Sequence, residues 1–191
     1  METAFHQLVV WVEKALDQQE VALGIFLDIE GAFNNTTYDS MCVALARHGV
    51  DCTIVRWVKA TLEGQRATAM LGNLSRSVAV SRGCPQGGVL SPLLWCLVVD
   101  ELLTRLSEGG VYAQGYADDI CLLAVGKFPN AVYGLIQWAL CTVEAWCVGF
   151  SLSVNPDKTG LIAFTRKRKL PVSLNPIYSE GYSNAPSRSN I

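Results

Sequence analysis

The 191-residue sequence contains no CxxC pair and only two histidines, His6 and His48. Its seven cysteines (Cys42, Cys52, Cys84, Cys96, Cys121, Cys141, Cys147) are odd in number, and five lie inside apolar runs. That pattern argues against a zinc framework or a disulfide scaffold; buried free thiols in a reducing compartment are expected. Basic excess is also missing, because 15 Lys and Arg face 17 Asp and Glu for a net charge of −2. If a nucleic acid is bound, the basic surface that draws it lies outside this chain. No secretory signal is visible, since Glu2, Glu13 and Lys14 break up the first apolar residues. The longest apolar stretch, residues 89–103, is interrupted by Pro92 and by Asp100 and Glu101, too short and too charged for a bilayer span. No internal repeat is found. The expectation is an intracellular protein, cytoplasmic, nuclear or both, with no membrane partner.

Half of the residues are hydrophobic and 17% are charged, ample for one packed domain with or without a tail. Phe5, Leu8, Val9, Val12 and Leu16 recur at helical spacing and predict a helix over residues 3–18, capped by Thr3. Residues 21–29 form a nearly continuous apolar run, as buried strands do, with Asp28 at its C-terminal end. Residues 31–37 read as a loop and 38–47 as a helix stopping at Gly49. Asp51 caps a helix through Leu62. Two strands, 66–71 and 74–81, are joined at Gly72-Asn73. Residues 82–88 are the most glycine-rich segment, and Ser91 as N-cap and Pro92 as first helical residue start a helix through Ser107. Such a loop is either a tight connection or a backbone that lets a ligand approach closely. After it come a hairpin, a long helix over 130–148 in which Trp138 and Trp146 read as core, a strand 150–154, a turn 155–158 and a strand 160–165. A basic run at 166–169 opens a Ser-, Asn- and Pro-rich tail expected to be disordered. The irregular alternation with an antiparallel hairpin at its centre predicts an α+β fold, a sheet covered by helices on one face.

The organising stretch is Gly115-Tyr116-Ala117-Asp118-Asp119-Ile120. Two adjacent carboxylates stand between the apolar runs 111–116 and 120–125, both too short for helices, which places the acids at a hairpin tip. Like charges paired on a rigid turn cost stability, a cost explained if a divalent cation sits between them and a third acid. Asp28 can supply that third acid where its strand ends beside the tip. Oxygen-only ligands favour Mg²⁺ or Mn²⁺, and two such ions suit phosphoryl or nucleotidyl transfer.

The segments Phe26-Leu27-Asp28-Ile29-Glu30-Gly31-Ala32-Phe33, Gly83-Cys84-Pro85-Gln86-Gly87-Gly88-Val89-Leu90-Ser91-Pro92-Leu93-Leu94 and Tyr116-Ala117-Asp118-Asp119 resemble three successive motifs of reverse transcriptases. They are most similar to those of non-LTR retrotransposons of the insect-type lineages. Asn155-Pro156-Asp157-Lys158-Thr159 resembles the fourth motif, and the match in order covers about residues 1–169.

The resemblance implies a polymerase palm-like antiparallel sheet and RNA-directed DNA polymerase activity, with an RNA template, a DNA primer and a dNTP as partners. It makes Asp28, Asp118 and Asp119 the metal-centred triad, with Asp28 and Asp118 as direct ligands, Asp119 more supportive, and Ile29 at the metal site. Phe33 becomes the gate rejecting a 2′-hydroxyl, and the backbone around Glu30, Gly31 and Ala32 lies along the triphosphate. Gln86 and Gly87 meet the incoming nucleotide or template, Tyr116 underlies the primer end, and Lys158 faces the leaving pyrophosphate. Against the family's fingers, palm and thumb, residues 1–169 correspond to the palm, with fingers largely missing, no thumb, and 170–191 an unrelated or disordered tail. A second chain would then supply the missing parts. The alternative is a catalytically inactive retroelement remnant that folds and binds metal or a partner; a different two-metal phosphotransferase leaves the glycine loop and Phe33 without a task.

Overall fold

The computed structural model describes residues 2–85 and 87–166, with side chains from His6 onward. Its sheet is built on strand β1 (Val21–Glu30), nine of whose ten residues are buried or half-buried, as its continuous apolar run predicts. Along one edge β1 pairs antiparallel with β5 (Asp119–Gly126), which pairs in turn with β4 (Tyr112–Tyr116). The other edge of β1 is shared by β7 (Gly160–Phe164), opposite Ala22 to Phe26, and by β6 (Ser153–Val154), opposite Ile29 and Glu30. Every pairing is antiparallel, as expected for an α+β sheet.

Alternation along β1 separates two faces. Leu23, Ile25, Leu27 and Ile29 join Ile120, Leu122 and Ala124 of β5 in the main core, under α5 (Ser91–Glu108) and α6 (Pro129–Gly149). Burying each such Leu or Ile stabilises by about 1.5–3 kcal/mol, which anchors the helical layer to this face. Helices α3 (Tyr38–Arg47) and α4 (Cys52–Glu63) extend the same core through Met41, Leu45, Val58 and Leu62. On the opposite face α1 (Glu2–Asp17) sets Leu8, Val12 and Ala15 on Ala22 and Leu123. That contact covers the Ala22 end and leaves the Asp28 end open.

Local signals account for most boundaries. The Asp51 carboxylate accepts from the Thr53 N–H at 2.8 Å and starts α4 as expected. Strands β2 (Arg66–Leu71) and β3 (Leu74–Ala79) form the expected hairpin about Gly72, with all twelve residues exposed. Its base is tied down by the Tyr38 hydroxyl, which donates to the Val80 carbonyl at 3.0 Å.

Other expectations need correction. Residues 31–37 are not all loop, because Ala32–Asn35 form a single helical turn, α2, after Gly31 at φ +64°. β1 runs one residue past the expected end at 29, because Ser153 pairs with Glu30. The strand expected over 150–154 shrinks to β6, because Phe150 closes α6 and Ser151 turns the chain at φ +56°. Ser91 is the first residue of α5, not its cap; its hydroxyl donates to the Pro85 carbonyl at 2.7 Å and closes the glycine loop instead. The run most like a membrane span is α6, not residues 89–103, since it is long and apolar enough by length and composition. Its Val132, Ile136, Leu140, Val143 and Trp146 lie in the core against the sheet. Trp138, read as core, is exposed, its ring lying over Gly109. The tail beyond Arg166 lies outside the described residues.

Only Cys84 and Cys147 are buried; Cys52 opens α4 among exposed residues, and Cys96 and Cys141 fall on outward helical positions beside the buried Trp95 and Leu140. Burial pushes the Cys121 thiol up to about 11 and Cys147 to about 12. Iodoacetamide at pH 8 should therefore alkylate Cys52, Cys96 and Cys141 at least about tenfold faster than Cys121 and Cys147, read by peptide mass mapping. Equal rates would mean that α6 does not hold its buried face.

Candidate active site

The acids meet at the open end of the sheet. Strands β4 and β5 are joined by two residues, Ala117 and Asp118, because Tyr116 already pairs with Asp119. Asp119 stands directly opposite Asp28 of β1. The Ile29 N–H donates to the Asp118 carbonyl at 3.0 Å, so Asp28 and Asp119 form the non-hydrogen-bonded pair next to it, the kind whose side chains stand closest. Two carboxylates opposite each other repel. The Asp119 carboxyl is accordingly held above its ordinary range, by desolvation first and then by the charges of Asp118 and Asp28, with Lys158 acting the other way.

Lys158 arrives from 130 residues away. Its Nζ lies 3.1 Å from Asp28 Oδ1, the lysine 65% exposed and the aspartate 14%. A 3₁₀ turn, Pro156–Lys158, carries it; Asn155 Oδ1 accepts from the Asp157 N–H at 3.1 Å, and the Asn155 N–H donates to the Asp28 carbonyl at 2.9 Å. The turn is thus fastened to the strand that bears the acid. Glu30 is engaged too, its Oε2 accepting from the Ser153 hydroxyl at 2.9 Å.

The glycine loop docks on α2. The Gly83 N–H donates to the Thr36 carbonyl at 2.8 Å and the Cys84 N–H to the Phe33 carbonyl at 2.7 Å. Gly83 has φ +82°, and a Cβ there would meet the Asn34 carbonyl oxygen at 2.6 Å, so only glycine fits. Phe33, half-buried, has its ring 6.1 Å from that of Trp95 in α5. Gly87, φ +83°, is exposed with open space around its α-carbon. Gln86 lies outside the described residues.

The fold therefore brings together Asp28, Asp118, Asp119, Lys158, Glu30 and the half-exposed Tyr116 at one edge, with Gly31, Ala32 and Phe33 leading away from β1. Ile29 turns its side chain into the core and offers only main chain. His48 lies 3.5 Å from Asp100 at the end of α3, away from the acids, and His6 is exposed on α1. Among the described residues no three His, Cys, Asp or Glu side chains form a ready-made metal cage. The donor set is nevertheless all oxygen, which suits a hard divalent cation, and the cation paired with it among the described residues is the tethered Lys158.

A family model described as reverse transcriptase (RNA-dependent DNA polymerase) matches residues 2–174. The chain belongs to the reverse transcriptase family. Its similarity to non-LTR retrotransposon enzymes agrees with the motifs. It is 31% identical over 182 residues to the probable RNA-directed DNA polymerase from transposon BS of Drosophila melanogaster, covering 92% of this chain and 20% of that one. To the Pol polyprotein from the type-1 retrotransposable element R2 of Popillia japonica it is 30% identical, covering 80% and 22%. The reverse transcriptase chain thus spans about a fifth of the length of these curated relatives. Its fold is similar to that of apo telomerase from Candida tropicalis truncated from its C-terminal domain, with a TM-score of 0.65 at 12% identity, covering 91% of this chain and 36% of that one.

Two residues beside these acids are not named by the motifs. Ser153 binds Glu30, and the Trp95 indole N–H donates to the Ala117 carbonyl. The sequence carries a weak signal for the second, since Trp95 falls one turn into the helix that the glycine loop starts. A tryptophan at helical spacing otherwise reads as core.

Proposed function

We propose that this chain is the nucleotidyl-transfer centre of an RNA-directed DNA polymerase, joining a dNTP to a primer 3′-hydroxyl opposite an RNA template. The observation that carries this reading is the Asp28–Asp119 pair at the open sheet edge, with Asp118 in the adjoining turn. Asp28, Asp118 and Asp119 would hold Mg²⁺ or Mn²⁺, with the Ile29 main chain beside them. Such ions, when bound, would supply the charge that activates an attacking hydroxyl and stabilises a leaving pyrophosphate.

The remaining roles fall to the chain itself. Lys158, exposed and on a short tether, would leave Asp28 and face the pyrophosphate as charge partner or proton donor. Phe33, braced by Trp95, would stand under the sugar and exclude a 2′-hydroxyl by steric conflict. The backbone at Glu30, Gly31 and Ala32 would follow the triphosphate, and Gln86 and Gly87 would meet the nucleotide or template. Tyr116 would underlie the primer end.

The test is extension of a DNA primer on an RNA template by this chain, with dNTPs and Mg²⁺ or Mn²⁺, before and after chelation. The expected result is templated incorporation that stops on chelation and resumes when the ion is restored. No incorporation, together with Mn²⁺ binding that Asp118→Ala leaves unchanged, would overturn the reading.

A further inference from the structure

Asp118 sits in a turn that its own sequence does not favour. A two-residue hairpin loop with φ above zero at its first position alone usually places glycine there. Here that position is Ala117, at φ +53°, and Asp118 does not share the left-handed region. A residue with a Cβ is disfavoured in that conformation, so contacts around it must hold it.

Two hydrogen bonds do so. The Ile29 N–H binds the Asp118 carbonyl as part of the sheet. The Trp95 indole Nε1–H binds the Ala117 carbonyl, the one described side-chain bond to the turn's main chain. The second bond matters more for direction. The Ala117 carbonyl belongs to the peptide plane that continues into the Asp118 N–H, so fixing it fixes ψ of Ala117 and φ of Asp118 together. Those two angles set where the Asp118 carboxylate points. Trp95 is itself fixed, only 3% exposed, with its ring between Phe33 at 6.1 Å and Trp146 at 6.3 Å.

Trp146 supplies an internal contrast. It is equally buried, meets the Trp95 ring edge-on and the Phe150 ring at 4.8 Å, yet its indole N–H has no partner among the described residues. Two neighbouring indoles therefore contribute similar packing, and only one reaches the acidic turn.

We infer that Trp95 is a positioning residue: its indole N–H holds the Ala117–Asp118 peptide in a strained turn and so aims Asp118 at the site shared with Asp28. The same ring braces Phe33, so α5 links the gate at the sugar to the acid at the metal. This inference rests on the reading of Asp118 as a metal ligand.

The experiment compares Trp95→Phe, Trp146→Phe, Ala117→Gly and the double variant Trp95→Phe/Ala117→Gly, each in the full chain. Free Mn²⁺ is read by electron paramagnetic resonance, and the Asp118 and Asp119 amides by ¹H–¹⁵N spectra without metal. Trp95→Phe should weaken Mn²⁺ binding about tenfold, within the range for groups that orient metal ligands. It should also shift both turn amides. Trp146→Phe should do neither. Glycine at 117 adopts the turn without help, so the double variant should recover most of the lost affinity. Equal effects of the two Trp variants, or no rescue by glycine, would reduce Trp95 to packing. If the unsubstituted chain binds no Mn²⁺, the metal reading fails by itself. The amides then decide this inference: moved by Trp95→Phe alone they uphold it, and unmoved they overturn it.

Discussion

Asp118→Ala is expected to lower templated primer extension by about three orders of magnitude, on the order of 4 kcal/mol of transition-state stabilisation, without destabilising the fold. The loss follows from removing one of three carboxylates that would hold the ions. The stability effect has the opposite sign because the acids repel one another: Asp119 is held above its ordinary range partly by the charges of Asp118 and Asp28. A folded-state value raised above the unfolded one means that the folded chain binds that proton more tightly. The group's contribution to stability therefore falls as pH rises from the ordinary carboxylate value through the raised one, and the penalty is fully present at neutral pH. Removing the Asp118 charge shrinks the penalty. Thermal melting at pH 4 and pH 7 should show a smaller pH-dependent loss for Asp118→Ala than for the unsubstituted chain. Extension that survives the substitution would remove Asp118 from the chemistry. A lower melting temperature at both pH values would mean that the turn needs the carboxylate for its own structure.

Gly83→Ala should be the most damaging single-methyl change, costing about 3 kcal/mol or more, which for a domain of this size lowers Tm by roughly 6–12 °C. Two costs add. The residue sits at φ +82°, where a Cβ is strained, and that Cβ would stand 2.6 Å from the Asn34 carbonyl oxygen, a backbone atom that cannot swing aside. The bond from the Gly83 N–H to the Thr36 carbonyl would be disturbed with it, loosening the glycine loop from the turn that carries Phe33. Gly87→Ala is the matched control, because φ is +83° but no other described residue comes within 4 Å of the new carbon. It should cost only the conformational share, about 1 kcal/mol. Equal melting temperatures for the two variants would show that the loop is not docked on α2.

Much of the fold is legible because its elements follow local rules. The apolar run of β1, the Asp51 cap and the Gly72 turn all depend on neighbours in sequence, and the chain adopts them as expected. Two of the misplaced boundaries follow from a hydrogen-bond partner that residue type alone does not name, one far along the chain and one six residues away. Ser153 draws Glu30 into β1 across 123 residues, and the Ser91 hydroxyl prefers the Pro85 carbonyl to capping α5. The cysteines were misjudged because an apolar run gives composition, whereas the angle around a helix axis decides which member faces inward. Cys96 follows the buried Trp95 and points outward.

By itself the sequence determined which acids, glycines and lysine stand in the family's motifs and in what order, since these residues keep their identity whatever the fold does with them. Tertiary structure decided how they meet. It set Asp119 opposite Asp28, brought Lys158 onto Asp28, left one sheet face open at that end, and gave the Ala117 turn its indole partner. The physical reason is that residue type and local backbone preference are encoded position by position. The charge and hydrogen-bond environment of a side chain arises only when strands distant in sequence lie a few ångströms apart.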